Sequence, residues 1–364
     1  MEATLNSTIF DILEGPDEPV ITEDHLDAQD IQGGFEGGRL LKVDGVYHMF
    51  PTERAGIPGA GPERDRINTR IGHWTSEDAV NWTRVSTLYQ SSGNYTHIDT
   101  DHPASDRRAA IWSFLPVFNQ AEDRWNGFYV AYTCQPDISP VHSFGRIWRS
   151  VSQAPGMSGV GGPYEDAGIV MEPGLETQAW EGRQGVDSFF PYRVGQTWFA
   201  LYGGAFPFEG DDRIHGTSGK WYVGLARADD LAGPWLRLGE DVNPVTSIHP
   251  WFVENPLVTQ LPDGTYIAMF DGGPEWLKLP NMFGYSLSVD GVNWSEAMYF
   301  PIRTRVKQWW HTMRTPLGLV PEGDNVYTIV YNAINERRFH PAGMVRVRLK
   351  PDVLKRQREL IGAE

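Results

Sequence analysis

The chain has 364 residues, a formal net charge of −16 and a single cysteine. So acidic a surface repels phosphate backbones, which argues against a nucleic-acid partner, and a lone Cys134 excludes an internal disulfide. No apolar run approaches the ~20 residues of a membrane-crossing helix, so no membrane partner is expected.

The N-terminal stretch "MEATLNSTIFDILEGPDEPV" shows neither the basic n-region nor the apolar core of a leader. Residues 1–32 are expected to form an extension that packs on the rest of the chain. A cytoplasmic location fits, or a periplasmic or secreted one if a leader has been removed.

From Phe35 a unit begins to repeat. "FEGGRLLKVDGVYHMF" has a small-residue start, a short apolar strand, a polar turn and a strand of alternating aromatics. The pattern returns at Trp112 in "WSFLPVFNQAEDRWNGFYVAYT", at Val186 in "VDSFFPYRVGQTWFALYGG", at Val253 in "VENPLVTQLPDGTYIAMFDGG" and at Met313 in "MRTPLGLVPEGDNVYTIVYNA". Aligned on Gly38, Pro116, Pro191, Pro256 and Pro316, the spacings are 78, 75, 65 and 60 residues by subtraction. A second unit falls between the first ones: a strand ending in Ser or Ala, an Asp-containing turn, then Trp. It reads "RIGHWTSEDAVNWTRV" with Trp74 and Trp82, "KWYVGLARADDLAGPWLRL" with Trp221 and Trp235, and "MFGYSLSVDGVNWSEA" with Tyr285 and Trp294; "RIWRSVSQAPG" at Arg146 is a shortened form.

Two units together make four strands. Five such sets predict an all-β fold: a five-bladed β-propeller over 33–350, with four-stranded antiparallel blades around a central channel, the last set closing through "GMVRVRL" at Gly343. Helices should be scarce. Residues 351–364 should form a tail or a short helix, with Pro351 at its start.

In a propeller the first strand of each blade lines the channel, so residues just before it gather at one mouth. That places Glu36, Trp112, Asp187, Glu254 and Arg314 together although they are far apart in sequence. Two carboxylates flanking one bond are the minimum for glycoside hydrolysis. The acid member must be protonated near neutrality, through an apolar setting or a neighbouring negative charge. Trp251 and Phe252 precede Glu254, and Asp187 lies one blade away.

From about Gly33 to Leu349 the chain resembles the five-bladed propeller glycosidases of families 43, 62, 32, 68, 117 and 130. The resemblance is carried by "GLARADDLAGPW", "GYSLSVDGVNW" and "ENP", and family 43 is the most similar. It implies that Glu254 is the general acid, that Asp187 in "VDSFFP" tunes its pKa, and that a blade-one carboxylate is base or nucleophile. Blade one has "FEGG" where the family has Asp-Pro, so that role falls to Glu36 or, alternatively, to Asp30 in "DAQDIQGG". His311 in "WWHTMRTP" matches a family histidine beneath the pocket that often faces calcium and its waters; a structural calcium near His311 is the one metal this suggests, and no cofactor is required.

Other candidates have two readings each. Trp112 is a sugar-stacking platform or an interblade packing residue. Arg314 binds substrate or neutralises Asp187 and Glu254. Trp251, Trp309 and Trp310 share one loop layer. His102 and Asp101 contact sugar only if their loop folds over the mouth, and His215 in "GDDRIHGTSG" has the same status. The "THIDTDHPASDRR" spacing matches no standard calcium loop. Asp271 and Glu275 in "MFDGGPEW" read as exposed turn residues.

The leading functional expectation is an exo-acting glycoside hydrolase on an oligosaccharide or polysaccharide chain end, with a furanoside or anhydro-galactose unit as substrate. Inversion is implied by the family 43 resemblance. A phosphorylase or transglycosylase is the second enzyme reading, with Arg183, Arg303, Arg305 and Arg314 as cations. A non-catalytic carbohydrate-binding propeller is the third. A homo-oligomer stays open.

Overall fold

A computed structural model describes residues 8–16, 18–55, 69–91, 110–135, 139–182, 185–206, 220–245, 254–271, 282–301, 309, 312–334 and 338–362. The chain begins with β1 (Phe10–Glu14). Blade one holds β2 (Phe35–Val43), β3 (Val46–Arg54), β4 (Thr69–Ser76) and β5 (Thr83–Gln90). Blade two holds β6 (Ala110–Asn119), β7 (Arg124–Gln135), β8 (Ser139–Ser152) and β9 (Tyr164–Met171). Blade three holds β10 (Asp187–Val194), β11 (Thr197–Phe206), β12 (Lys220–Ala228) and β13 (Leu236–Arg237). Blade four holds β14 (Leu257–Gln260), β15 (Tyr266–Phe270), β16 (Met282–Ser288) and β17 (Met298–Pro301). Blade five contains β18 (Thr312–Pro316), β19 (Val320–Gly323), β20 (Val326–Ile334) and β21 (Ala342–Leu349). Neighbouring strands pair antiparallel in sequence order within blades one to four, which is the predicted five-bladed β-propeller.

Blade five closes differently from the sequence expectation. Its order is β18, β20, β21, β1, with β19 beside β20. "GMVRVRL" supplies the third strand, and the outer strand comes from the N-terminus. Phe10 pairs with Leu349 and Glu14 with Arg346, and the Glu14 carboxylate also meets the Arg346 guanidinium. The ring is thereby closed by strand pairing between the two ends of the chain.

Five apolar clusters fill the five seams. Phe50 and Ile71 meet Phe114 and Tyr129 between blades one and two. Phe128 and Val130 meet Phe189 and Trp235 between two and three. Leu201 and Leu225 meet Ala268 and Phe270 between three and four. Ile267 and Met269 meet Tyr327 and Ile329 between four and five, and Val330 and Met344 meet Met49 and Trp74 at the last seam. Each such side chain contributes about 1.5–3 kcal/mol when fully buried. The one α-helix among the described residues, α1 (Pro351–Ile361), buries Leu354 in the seam between blades four and five. Its Arg358 donates to the Asp263 carbonyl at 2.9 Å.

The Asp turns explain why the second unit recurs. In blade one, Asp78 accepts the amides of Val80 and Asn81 and the Asn81 side-chain amide, each at 2.8 Å. Asp290 does the same for Val292 and Asn293 in blade four, at the same distances. The following tryptophan ties back to the turn: Trp82 Nε1 donates to the Ala79 carbonyl at 3.0 Å and, in blade three, Trp235 Nε1 to the Leu231 carbonyl at 3.2 Å.

Candidate active site

One local device presents the candidate side chains. The residue after each of Glu36, Trp112, Asp187 and Glu254 has a left-handed backbone: Gly37 at φ 63, Ser113 at 54, Ser188 at 48 and Asn255 at 52. In blades one to three the strand pairing slips at that point, as a bulge does, and a bulge re-aims the preceding side chain. Non-glycine residues in this conformation cost roughly 1–3 kcal/mol each. Hydrogen bonds around the channel hold them. Ser113 Oγ donates to Asn255 Oδ1 at 3.0 Å, and the Asn255 amide donates to Ser188 Oγ at 3.2 Å. The Ser113 amide donates to Thr52 Oγ1 of blade one at 2.8 Å. A Cβ on Gly37 would come within 2.7 Å of Ser113 Oγ, so only glycine fits there. Four blades are thus linked at one mouth through the residues that follow the candidates.

The carboxylates at this mouth have unlike settings. Asp187 is 4 % exposed. Burial pushes its carboxyl up from 3.8 to about 6, and the negative charge of Glu36 adds to the rise. Hydrogen bonds from Tyr132 and Ser188 pull the other way. The Ser188 hydroxyl lies 3.2 Å from Asp187 Oδ1 and 3.1 Å from Asn255 Oδ1, so its single proton serves one or the other. Glu36 has a cation beside it: Arg54 Nη1 is 3.9 Å from its carboxylate. Arg54 also donates to His340 Nδ1 at 2.9 Å. The backbone of His340 is clamped to blade one, its carbonyl accepting from Phe35 and its amide donating to Gly33. Glu254 is buried at the start of blade four.

Asp271 is a correction to the sequence reading. It is 2 % exposed, not an exposed turn residue, and its amide meets the Glu254 carbonyl at 3.5 Å. Its position at the end of β15 brings another acidic residue to the start of blade four. Asp30 is also corrected. Its side chain is 66 % exposed and forms a two-point ion pair with Arg70 at 2.7 and 2.8 Å, which holds its carboxyl below the usual range. Arg70 lies on β4, two strand spacings or about 10 Å outward from the strand of Glu36. Trp112 is 5 % exposed within the seam of blades two and three, so the packing reading is the one its position supports.

Two further buried carboxylates are structural. Glu53 is fully buried and bonded by Trp74 Nε1 at 2.7 Å, by Arg84 Nε at 2.8 Å and by Arg70. Glu181 is bonded by Arg237 at 2.7 and 2.9 Å. Their charges are answered, which is what burial requires. The backbone of Arg314 lies within β18, the first strand of blade five. His102, His215, Trp251 and His311, together with Asp101, Arg183, Glu275, Arg303, Arg305 and Trp310, lie outside the described residues. Sequence reasoning missed Arg54 and His340. The only signal was the charged "TER" that ends the second strand of blade one.

No protein-family model matches the chain, and no curated protein matches it in sequence. Solved structures do match. Zg3597, a family 117 glycoside hydrolase from the marine bacterium Zobellia galactanivorans, is 14% identical over 94% of this chain and 89% of its own, with a TM-score of 0.58. A glycosyl hydrolase from Bacteroides ovatus is 11% identical over 94% of both chains, with a TM-score of 0.61. The α-L-arabinofuranosidase PaAbf62A from Podospora anserina, solved with cellotriose, is 10% identical over 91% of this chain and 95% of its own, at 0.53. The chain has the fold of the five-bladed propeller glycoside hydrolases.

Within that fold a calcium near His311 can be tested against the described donors. Among the described residues, Thr315 Oγ1 and both polar side-chain atoms of Asn332 are buried without a hydrogen-bond partner, and the two residues are paired across β18 and β20. Among the described residues no cluster of three His, Cys, Asp or Glu surrounds them. Two neutral oxygens and one amide nitrogen are what these two side chains offer, a set that an ordered water can satisfy.

Proposed function

We propose that this protein is an exo-acting glycoside hydrolase that removes a terminal sugar from an oligosaccharide or polysaccharide. The observation that carries the reading is the pairing of unlike environments at one mouth. Asp187 is pushed up to about 6 by burial and by Glu36, while Glu36 faces the Arg54 guanidinium. A carboxyl raised by burial beside one that faces a cation is the kind of unlike pair that glycoside cleavage uses. Glu36 serves as base or nucleophile. Glu254, at the entry to blade four, protonates the leaving oxygen. Asp187 is a positioning residue that adds a second carboxyl beside the mouth. The structural neighbours support the substrate class: one is an exo-1,5-α-L-arabinanase from a bovine ruminal metagenomic library, another an α-L-arabinofuranosidase. A terminal furanoside is therefore the substrate of choice.

A second assignment has one observation in its favour. Asp187, with its carboxyl at about 6, is itself suited to donate a proton near neutrality. Glu254→Gln and Asp187→Asn on substrates of graded leaving-group ability separate the two.

The deciding experiment is a screen of aryl furanosides and aryl pyranosides with and without inorganic phosphate, followed by anomer analysis of the product. Phosphate-independent release of one sugar is the expected result. Turnover only with phosphate assigns a phosphorylase instead. Saturable sugar binding without turnover of any substrate assigns a binding propeller.

A further inference from the structure

The other end of the channel carries a cavity of its own. Its volume is about 560 Å³, within the range of small-molecule sites. Its wall comes from Arg39–Lys42 of β2, Gly45, the whole of β14 and Leu317–Pro321 of blade five, with Phe190 of blade three. Along β2, Glu36 stands at one mouth and Lys42 lines the cavity at the other, roughly 20 Å apart at ~3.3 Å per residue. Arg39 stands three residues from Glu36, roughly 10 Å along the same strand, so the cavity begins beneath the carboxylate mouth and shares none of its acidic residues.

Arg39 reaches into it. Its Nη1 is buried and has no hydrogen-bond partner among the described residues, while the side chain as a whole is half-buried and lines the cavity. Its guanidinium carbon lies 4.5 Å from the centre of the Phe190 ring, so one face stacks on an aromatic. The other cation in the wall, Lys42, is answered by Glu322 at 2.7 Å. Among the described residues, none that forms the wall is acidic. Burial lowers the Arg39 guanidinium to about 10, which leaves it charged at neutral pH. An unanswered, partly desolvated charge is unfavourable. A Met or Leu would fill the same space without that cost, so the arginine calls for an anion delivered from solution.

We propose that this cavity binds a small oxyanion, a carboxylate or a phosphate group, on the Arg39 guanidinium. The planar fork of arginine matches both groups in two-point geometry, and Phe190 lies against the guanidinium at 4.5 Å. The site stands independently of the hydrolase reading, because it uses no residue of the carboxylate mouth and needs no sugar.

The test is titration of the full chain with inorganic phosphate and, separately, with malonate. Both run in dilute Tris chloride at constant ionic strength, read by calorimetry and by Tm. The wild type is expected to show saturable binding and a rising Tm with at least one of them; which one responds identifies the source of the oxyanion. Arg39→Met is expected to bind at least about tenfold more weakly. Without added anion it should melt no lower than the wild type, because an unanswered charge is gone. Thr259→Phe, in the wall of the same cavity, keeps Arg39 but takes up cavity volume; it carries the test if Arg39→Met fails to fold, and it too is expected to lose binding. No saturable binding in the wild type overturns the proposal. So does binding that survives in folded Arg39→Met or in Thr259→Phe.

Discussion

Asp187 is a residue whose charge the fold resists. Its carboxyl is raised from 3.8 to about 6, so the stability it allows is complete below 3.8 and is lost as pH rises through 6. The full difference corresponds to about 3 kcal/mol. Asp187→Asn removes that loss. It should melt higher relative to the wild type at pH 8 than at pH 4, while activity falls. Equal effects at the two pH values would show that the carboxyl titrates normally. The same substitution removes a negative charge from the mouth and should move the basic limb of the pH–rate profile to lower pH. Glu254→Gln should lose at least ~100-fold on a poor leaving group, the usual scale of general acid catalysis. It should lose far less on dinitrophenyl glycosides, which need little protonation. Glu36→Gln should lose activity on both, because base or nucleophile is needed whatever leaves. Equal impairment of Glu254→Gln on both substrate types would move the proton donor to Asp187.

At the scale of the element, the Asp turn is a self-contained unit. Asp290 holds two amides and one side chain, and these bonds keep its carboxyl below the usual range. Asp290→Ala should destabilise by about 1–2 kcal/mol at pH 7. Because the folded carboxyl is lowered, its contribution is present above pH ~4 and is lost as pH falls further; the gap between mutant and wild type in urea melts should therefore shrink at acid pH. Turns of this kind were legible in the sequence, because their chemistry is contained in six consecutive residues. The channel strands were legible for a similar reason: a Pro or Gly followed by an apolar run marks each of them. "FDGG" has turn composition, so Asp271 reads as exposed, and only its burial beside the Glu254 carbonyl, 17 residues back in the chain, shows otherwise. Arg54, His340 and the Arg39 cavity depend on contacts hundreds of residues apart, which no local pattern encodes. The left-handed serines after Trp112 and Asp187 were hidden for another reason: serine does not advertise a positive φ as glycine does.

At the scale of the molecule, five seams are closed by side chains, and blade five is completed by β1. Phe10 adds its ring to the seam of blades four and five, edge-on to Tyr285 at 6.5 Å and to Tyr327 at 6.2 Å. Deleting residues 1–15 should remove both the outer strand and this aromatic contact. The truncated chain is expected to keep its β-sheet signal in circular dichroism. It should unfold at lower urea, expose the edge of β21 and associate at micromolar concentration. A truncated chain as stable and as monomeric as the full one would mean that β1 is dispensable for closure.

That closure has a consequence for how the protein is made. Glu14 finds its partner Arg346 332 positions later. At ~5–20 residues per second on the ribosome, the first strand waits about 17–66 s before its neighbour exists. Throughout that interval "FDILE" is a lone strand with three apolar residues and nothing to pair with. Its Asp11 and Glu14 give the waiting strand two negative charges, which repel a second nascent copy on the same messenger. In the finished ring the same two side chains have a second task, Glu14 meeting Arg346 and Asp11 lying 3.2 Å from Lys350.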